Sequence, residues 1–136
     1  METRVQQTIE RHDKGYNCAQ AVACTYCDLV GIDEETMFRL TEGFGAGMGG
    51  MTATCGAVSG ACALAGMKQS TGNLEAPNSK AKTYQLSKAI LAEFQEKNGS
   101  VVCKELKGIG TGKALRSCPD CIKDAALLAE KILFGE

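Results

Sequence analysis

Four of the eight cysteines stand where a helix is expected to begin. Each lies close to a residue type that favours a helix start: asparagine, threonine, serine or proline. The first turn of a helix carries unpaired N–H groups and the positive end of the macrodipole, and both lower the pKa of a thiol. Because the thiolate binds metal ions and attacks disulfides, we predict that these four cysteines form the functional site. They are Cys18, Cys55, Cys103 and Cys118.

Three other cysteines are weaker candidates. At about 100° per residue, Cys24 and Cys27 are rotated by roughly 120° and 180° from Cys18 on one predicted helix, so these three thiols cannot converge. Cys62 lies two turns beyond Cys55, which is about 10 Å along the helix axis. We therefore interpret Cys24, Cys27 and Cys62 as core or incidental residues.

Cys121 is ambiguous. It lies one turn beyond Cys118, where its thiol can face Ala125 and Leu128 as a small apolar side chain. Pro119 at the first helical position would make Cys118 the N-cap residue, with its sulfur near free amides. We therefore expect Cys118→Ser to abolish the site and Cys121→Ser to leave it nearly unchanged.

Two C-x-x-C pairs also need an interpretation: "CTYC" at residues 24–27 and "CPDC" at residues 118–121. A zinc ribbon normally has its two pairs about 15–20 residues apart, whereas most of the chain separates these two. A thioredoxin-like reaction at "CPDC" is mechanically possible, because its cysteines lie one helical turn apart. The parallel strands of that fold are not predicted here.

A glycine-rich segment, "GAGMGG", precedes Cys55. It lacks the preceding strand and the lysine-serine ending of a phosphate-binding loop. Two interpretations stay open: bare backbone that approaches a bulky anionic centre, or tight packing of helices through glycine. His12, the single histidine, lies on an amphipathic helix without a nucleophile or acid pattern, and we interpret it as a surface or interface residue.

The elements that must position the cysteines are helices. Apolar residues recur at helical spacing, glycines end the segments, and no strand pattern is evident. We predict an all-α fold, a single domain over residues 1–136, built as a bundle of five to six helices with a glycine-rich loop before a central helix. The segments are residues 2–13, 17–30, 33–40, a fourth helix capped by Thr52 or Thr54, residues 79–98, a short helix capped by Ser100, and a last helix from Pro119.

Composition argues against several classes of function. A net charge of -1 gives no basic footprint for nucleic acid, and no apolar run is long enough for membrane insertion. We also find no cleavable leader and expect a cytoplasmic protein, in which eight cysteines indicate metal ligands or redox thiols. The small residues of "GAVSGACALAG" permit close helix approach, and we predict a homodimer.

The cysteine layout resembles the redox-active family called C_GCAxxG_C_C. The resemblance spans nearly the whole chain and is carried by "GYNCAQAV", "CGAVSGA", "CKELKG" and "CPDCIKDAALLAEKIL". It places the signature cysteines at Cys18, Cys55, Cys103 and Cys118. It implies a small helical protein with a redox role, and a similar domain occurs in split-Soret cytochromes, which are dimeric haem proteins with a proposed iron-sulfur centre. Covalent haem is not expected here, because the chain has no C-x-x-C-H motif.

Three hypotheses about function follow. In the first, the four thiolates hold a metal or an iron-sulfur centre, most simply [2Fe–2S], for electron transfer or sensing. In the second, a cofactor-free protein cycles two of these cysteines between dithiol and disulfide. In the third, the cysteines only pack, and the protein is a non-redox interaction module. The sequence identifies neither a redox partner nor a substrate.

Overall fold

The computed structural model describes residues 1–135 as an all-α bundle around one core. No strand occurs in that range, and Thr54 and Val102 form an isolated antiparallel bridge. The seven α-helices are α1 (Val5–Lys14), α2 (Cys18–Thr25), α3 (Glu34–Thr41), α4 (Gly56–Gln69), α5 (Lys80–Asn98), α6 (Cys103–Lys107) and α7 (Cys118–Leu133). The predicted all-α class is confirmed, and each of the seven predicted segments corresponds to one of these helices, although the bundle was predicted to hold five to six.

Helix α4 lies at the centre of the bundle, packed against α2, α5 and α7. Its buried face is made of small residues, among them Ala57, Ala61 and Ala65. At Gly60 an added Cβ would lie 2.6 Å from the carbonyl oxygen of Ala19, so α2 and α4 approach at backbone contact distance. This close approach fixes the start of α2 beside the start of α4.

Three of the predicted helix starts are confirmed: Ser79 is the N-cap of α5, and the starts of α2 and α3 are also fixed by side-chain hydrogen bonds. Asn17 accepts a hydrogen bond from the Gln20 N–H, and the Gln20 side chain accepts one from the Asn17 N–H, which forms a capping box at α2. Asp33 caps α3 through the Thr36 N–H. The starts of α2 and α3 are thus set by local hydrogen bonds that the sequence displays.

Three other predicted caps are wrong by one to three residues. Cys55 itself is the N-cap of α4, not Thr52 or Thr54, and Val102 rather than Ser100 precedes α6. At α7 the cap is Ser117, whose hydroxyl accepts from the Asp120 N–H, so Cys118 is the first helical residue. A serine hydroxyl at the N-cap can accept hydrogen bonds from the free amides of the first turn. This explains why Ser117, rather than Cys118, caps α7.

The remaining boundaries depend on turns. Helix α2 ends at Thr25, and residues 27–30 tighten into a 3-10 turn closed by Gly31 in the left-handed region. A second 3-10 turn covers Glu42–Phe44, and a π-type turn covers Gly47–Met51, directly before α4. None of the helices in residues 1–135 combines the length and apolarity needed to span a membrane.

Candidate functional site

The four signature cysteines occupy the first turns of four helices that meet at one pole of the bundle. Cys55 is the N-cap of α4, and the other three are the first residues of their helices. The four sulfurs lie close enough to interact electrostatically. The charges of ionised Cys55 and Cys118 raise the pKa of Cys18 and that of Cys103. The structure therefore brings together Cys18, Cys55, Cys103 and Cys118.

Backbone hydrogen bonds hold the segments before α4 and α6 side by side. The Cys55 N–H donates to the Val101 carbonyl at 2.7 Å, and the Cys103 N–H donates to the Ala53 carbonyl at 3.0 Å. Each cysteine thus has its own amide fixed by the segment that precedes the other. This exchange anchors two of the four thiols independently of their side chains.

Glycines allow the site to close around its sulfurs. At Gly56 an added Cβ would lie 2.4 Å from the Cys18 sulfur, and at Gly47 it would lie 2.5 Å from the Cβ of Cys103. Gly47 also has a φ of 56°, which a side chain would strain. The packing interpretation is therefore confirmed at Gly47, which lies against Cys103, whereas the approach of bare backbone to a bulky anionic centre stays a prediction.

The same segment stores backbone strain. Three residues other than glycine have positive φ in it: Ala46 at 52°, Met48 at 66° and Met51 at 63°. Such conformations cost about 1 kcal/mol or more each and persist only where the surrounding structure imposes them. The strain lies within the loop that covers Cys103 and leads to Cys55.

Burial works against the thiolate at two of the four positions. It is the main cause that raises the pKa of Cys18, which outweighs a backbone hydrogen bond at Ala46. Burial likewise raises the pKa of Cys103, against the opposing charge of Lys107. The expectation that every helix-start cysteine has a lowered pKa is thus wrong for Cys18 and Cys103, because desolvation exceeds the helix-terminus effect.

Cys55 differs from its neighbours because it pairs with Cys121. A hydrogen bond from the Cys121 thiol is the largest cause that lowers the pKa of Cys55, to about 7, assisted by the amides of Ala57 and Val58. Donating that bond raises the pKa of Cys121. The two side chains are 6% and 2% exposed. The pair therefore places two thiols in contact inside the bundle, and the pKa of Cys55 is the lowered one.

Lys107, at the end of α6, supplies the positive charge of the site. Its ammonium group donates to the Met51 sulfur at 3.9 Å and lies near the thiols of Cys118 and Cys103. Although burial lowers the pKa of Lys107, the nearby Cys118 and Cys103 raise it overall. One cation thus faces the thiols from the solvent side.

The remaining cysteines lie away from this pole. Cys24 and Cys27 are buried in the core, and burial raises the pKa of both, to about 12 for Cys24. Cys62 is half-buried on α4, hydrogen-bonded to Ser87. His12 is half-buried on α1 and takes no part in the cluster.

Two members of the site were missed or left open by the sequence analysis. Cys121 lies in the core, but its thiol contacts Cys55 in addition to apolar neighbours. The "CPDC" spacing was the signal that marked it. Nothing in the sequence marked Lys107 as a site residue, because lysine is common at the end of a helix.

The placement of the cysteine side chains decides whether they could ligate a metal ion or an iron-sulfur cluster as they stand. Within residues 1–135 no three cysteine, histidine or carboxylate side chains meet in a geometry that could ligate a metal ion. The four thiols as placed therefore do not form the ligand set that a [2Fe–2S] centre needs. All eight cysteines are free thiols.

Comparison with known proteins agrees with this picture. A family model described as "Putative redox-active protein (C_GCAxxG_C_C)" matches residues 16–132, which include all five cysteines of the cluster. No curated protein and no solved structure matches the chain significantly. The match covers most of the chain and every element that positions the site. The chain belongs to the C_GCAxxG_C_C family of redox-active proteins.

Proposed function

We propose that this protein is a thiol–disulfide redox protein in which Cys55 and Cys121 cycle between dithiol and disulfide. The observation that carries the proposal is the hydrogen bond between these two thiols, which lowers the pKa of Cys55 to about 7. A thiolate in contact with a thiol is the reduced state from which a disulfide forms. The family's redox description supports the same class of chemistry.

The reaction is a thiol–disulfide exchange with an external disulfide as oxidant. Attack by a thiolate of the cluster on one sulfur of that disulfide forms a mixed disulfide and releases one thiolate. The bond between Cys55 and Cys121 then forms as the second external sulfur leaves, and the proton of Cys121 passes to a released thiolate. Two protein thiols are oxidised and one external disulfide is reduced to two thiols.

Disulfide mapping tests this proposal. Reduced full-length protein is treated with one equivalent of the aromatic disulfide 5,5′-dithiobis(2-nitrobenzoate), alkylated, digested and analysed by mass spectrometry. Cleavage before Asp120 separates Cys118 from Cys121, and a Cys62→Ser background leaves Cys55 alone in its tryptic peptide. We expect a bond between Cys55 and Cys121, with Cys24 and Cys27 still alkylated. A bond between Cys118 and Cys121 as the main product would contradict the proposal.

A second candidate is a metal or iron-sulfur centre held by Cys18, Cys55, Cys103 and Cys118. What favours it is the convergence of these four thiols on one pole with glycine backbone around them. Tetrathiolate ligation is the usual way to hold a [2Fe–2S] cluster. The side chains would have to move together to ligate it, because their present placement is not a ligand set.

Metal analysis separates the two candidates. Protein purified without oxygen is assayed for iron, zinc and sulfide and examined by absorption spectroscopy. A bound centre predicts stoichiometric metal that is lost in each of the four cysteine-to-serine variants and kept in Cys24→Ser. A colourless preparation without iron or zinc would rule the centre out and leave the dithiol.

A further inference from the structure

The five thiols of the cluster differ in how solvent reaches them. Cys55, Cys103 and Cys121 are 6%, 4% and 2% exposed, so an external disulfide cannot align with any of them in this conformation. Cys18 and Cys118 are only partly buried. Attack on a disulfide requires the three sulfurs to come into line, which needs an open approach to the attacking atom. Only Cys18 and Cys118 meet that requirement.

Cys18 is the poorer of the two. Its sulfur faces inward, against the backbone of Gly56, where an added Cβ would lie 2.4 Å away. Burial also raises the pKa of Cys18, which reduces its thiolate fraction. Cys18 thus lines the interior of the cluster.

Cys118 has the opposite surroundings. It is the first residue of α7, followed by exposed Pro119, and the Lys107 ammonium group lies near its sulfur. A cation beside a sulfur attracts the negative charge that thiol–disulfide exchange develops on that atom. Cys118 is also one helical turn from Cys121, on the same helix as the buried pair's second member.

We propose that Cys118 is the thiol through which external disulfides enter the site, with Lys107 as its positioning residue, and that it passes the oxidation inward to Cys55 and Cys121. This inference rests on the proposed dithiol function. The Cys118 thiolate attacks the external disulfide and releases one external thiolate. Cys55 then attacks the Cys118 sulfur and releases the second. Finally Cys121 attacks Cys55, and its proton goes to the regenerated Cys118.

Selective alkylation tests the entry residue. Reduced full-length protein is exposed briefly to substoichiometric iodoacetamide at pH 7 and mapped after cleavage before Asp120. We expect Cys118 to react first and Lys107→Met to slow it about three- to tenfold, whereas Lys107→Arg retains the rate. Lys104→Met, an exposed lysine on the same helix, is the matched control and should change nothing. Earlier labelling of another cysteine would overturn the assignment. Equal effects of Lys107→Met and Lys104→Met would overturn it as well.

The relay is tested by trapping. With one equivalent of 5,5′-dithiobis(2-nitrobenzoate), Cys55→Ser should accumulate the mixed disulfide on Cys118. In Cys118→Ser the bond between Cys55 and Cys121 should form at least about tenfold more slowly, since the buried pair must wait for local opening. An unchanged rate would overturn the entry role while leaving the dithiol function intact. First labelling of Cys118 without any bond between Cys55 and Cys121 would support the entry role and contradict the dithiol function.

Discussion

The chain carries the same motif twice, and the two copies lie in different surroundings. In "CTYC", Cys24 lies in the last turn of α2 and Cys27 opens a 3-10 turn, so neither thiol faces the free amides at the start of an α-helix. In "CPDC", Cys118 opens α7 and Cys121 reaches across to Cys55. Burial raises the pKa of both thiols in the first copy. The C-x-x-C spacing therefore carries little chemistry without a partner thiol, free amides and a nearby cation.

The surroundings of the two copies explain the difference. Cys24 contacts the Glu34 backbone carbonyl at 3.8 Å, and the Glu34 carboxylate raises its pKa further. The "CPDC" pole instead has Lys107 and the amides of α4. Negative surroundings suppress a thiolate and positive ones stabilise it. One copy is thus a pair of small core residues, and the other is the copy that we propose to be reactive.

The largest expected effect comes from removing Cys121, and the contact of Cys121 with Cys55 reverses the expectation from the sequence that Cys121→Ser leaves the site nearly unchanged. Cys121→Ser takes away both the hydrogen bond to Cys55 and the disulfide partner, so we expect the loss of two thiols on mild oxidation to disappear. In the matched variant of the other motif, Cys27→Ser, mild oxidation should still remove two thiols. Thiol titration before and after one equivalent of disulfide measures both. Equal loss in the two variants would show that the copies are not chemically distinct.

Gly56→Ala tests the packing of the reactive pole. The added Cβ would lie 2.4 Å from the Cys18 sulfur and 3.0 Å from the Phe44 carbonyl oxygen. We expect a loss of about 3 kcal/mol in the free energy of unfolding, from overpacking against backbone. Gly66→Ala on the same helix meets nothing within 4 Å and should stabilise by about 0.5–1 kcal/mol through helix propensity. Urea denaturation compares the two variants, and similar losses would contradict the close approach.

Local features of the fold were predictable from the sequence, whereas contacts between distant segments were not. Asn17 and Asp33 were predicted as caps because capping depends on neighbours three residues away. That the four helix-start cysteines share one site was predicted, but how their helices meet was not, since this depends on the crossing of α2 and α4 at Gly60. The contact between Cys55 and Cys121 joins residues far apart in the chain, and no local pattern encodes it.

Asp124 tests how α7 is anchored beside the site. Its carboxylate, 4% exposed, accepts from Lys97, Asn98 and Arg116. Burial raises its pKa, but these donors lower it overall, below the unfolded value of 3.8. Its contribution to stability is therefore present above about pH 4 and is lost as pH falls through the lower folded-state pKa.

We expect Asp124→Asn to cost about 2 kcal/mol at pH 7, because hydrogen bonds from charged donors are lost. Asp120→Asn is the control on the same helix, since the Asp120 side chain is 42% exposed, and it should cost less than about 1 kcal/mol. Urea denaturation at pH 7 and pH 3 gives both values. The difference between Asp124→Asn and the parent should shrink at pH 3, and a constant difference would contradict the ion-pair role.

The smallest expected effect is a difference in the pH dependence of alkylation between Cys55, which contacts the "CPDC" motif, and Cys24 of the "CTYC" motif. The pKa of Cys55 near 7 predicts that its labelling rate rises about tenfold between pH 6 and pH 8 and then levels off. The pKa of Cys24 near 12 predicts a slower rate that keeps rising throughout that range. In Cys121→Ala, Cys55 loses its hydrogen-bond donor, so its profile should move to higher pH. Peptide mass spectrometry after timed labelling gives each profile, and parallel profiles for Cys55 and Cys24 would mean that local opening, rather than ionisation, controls both.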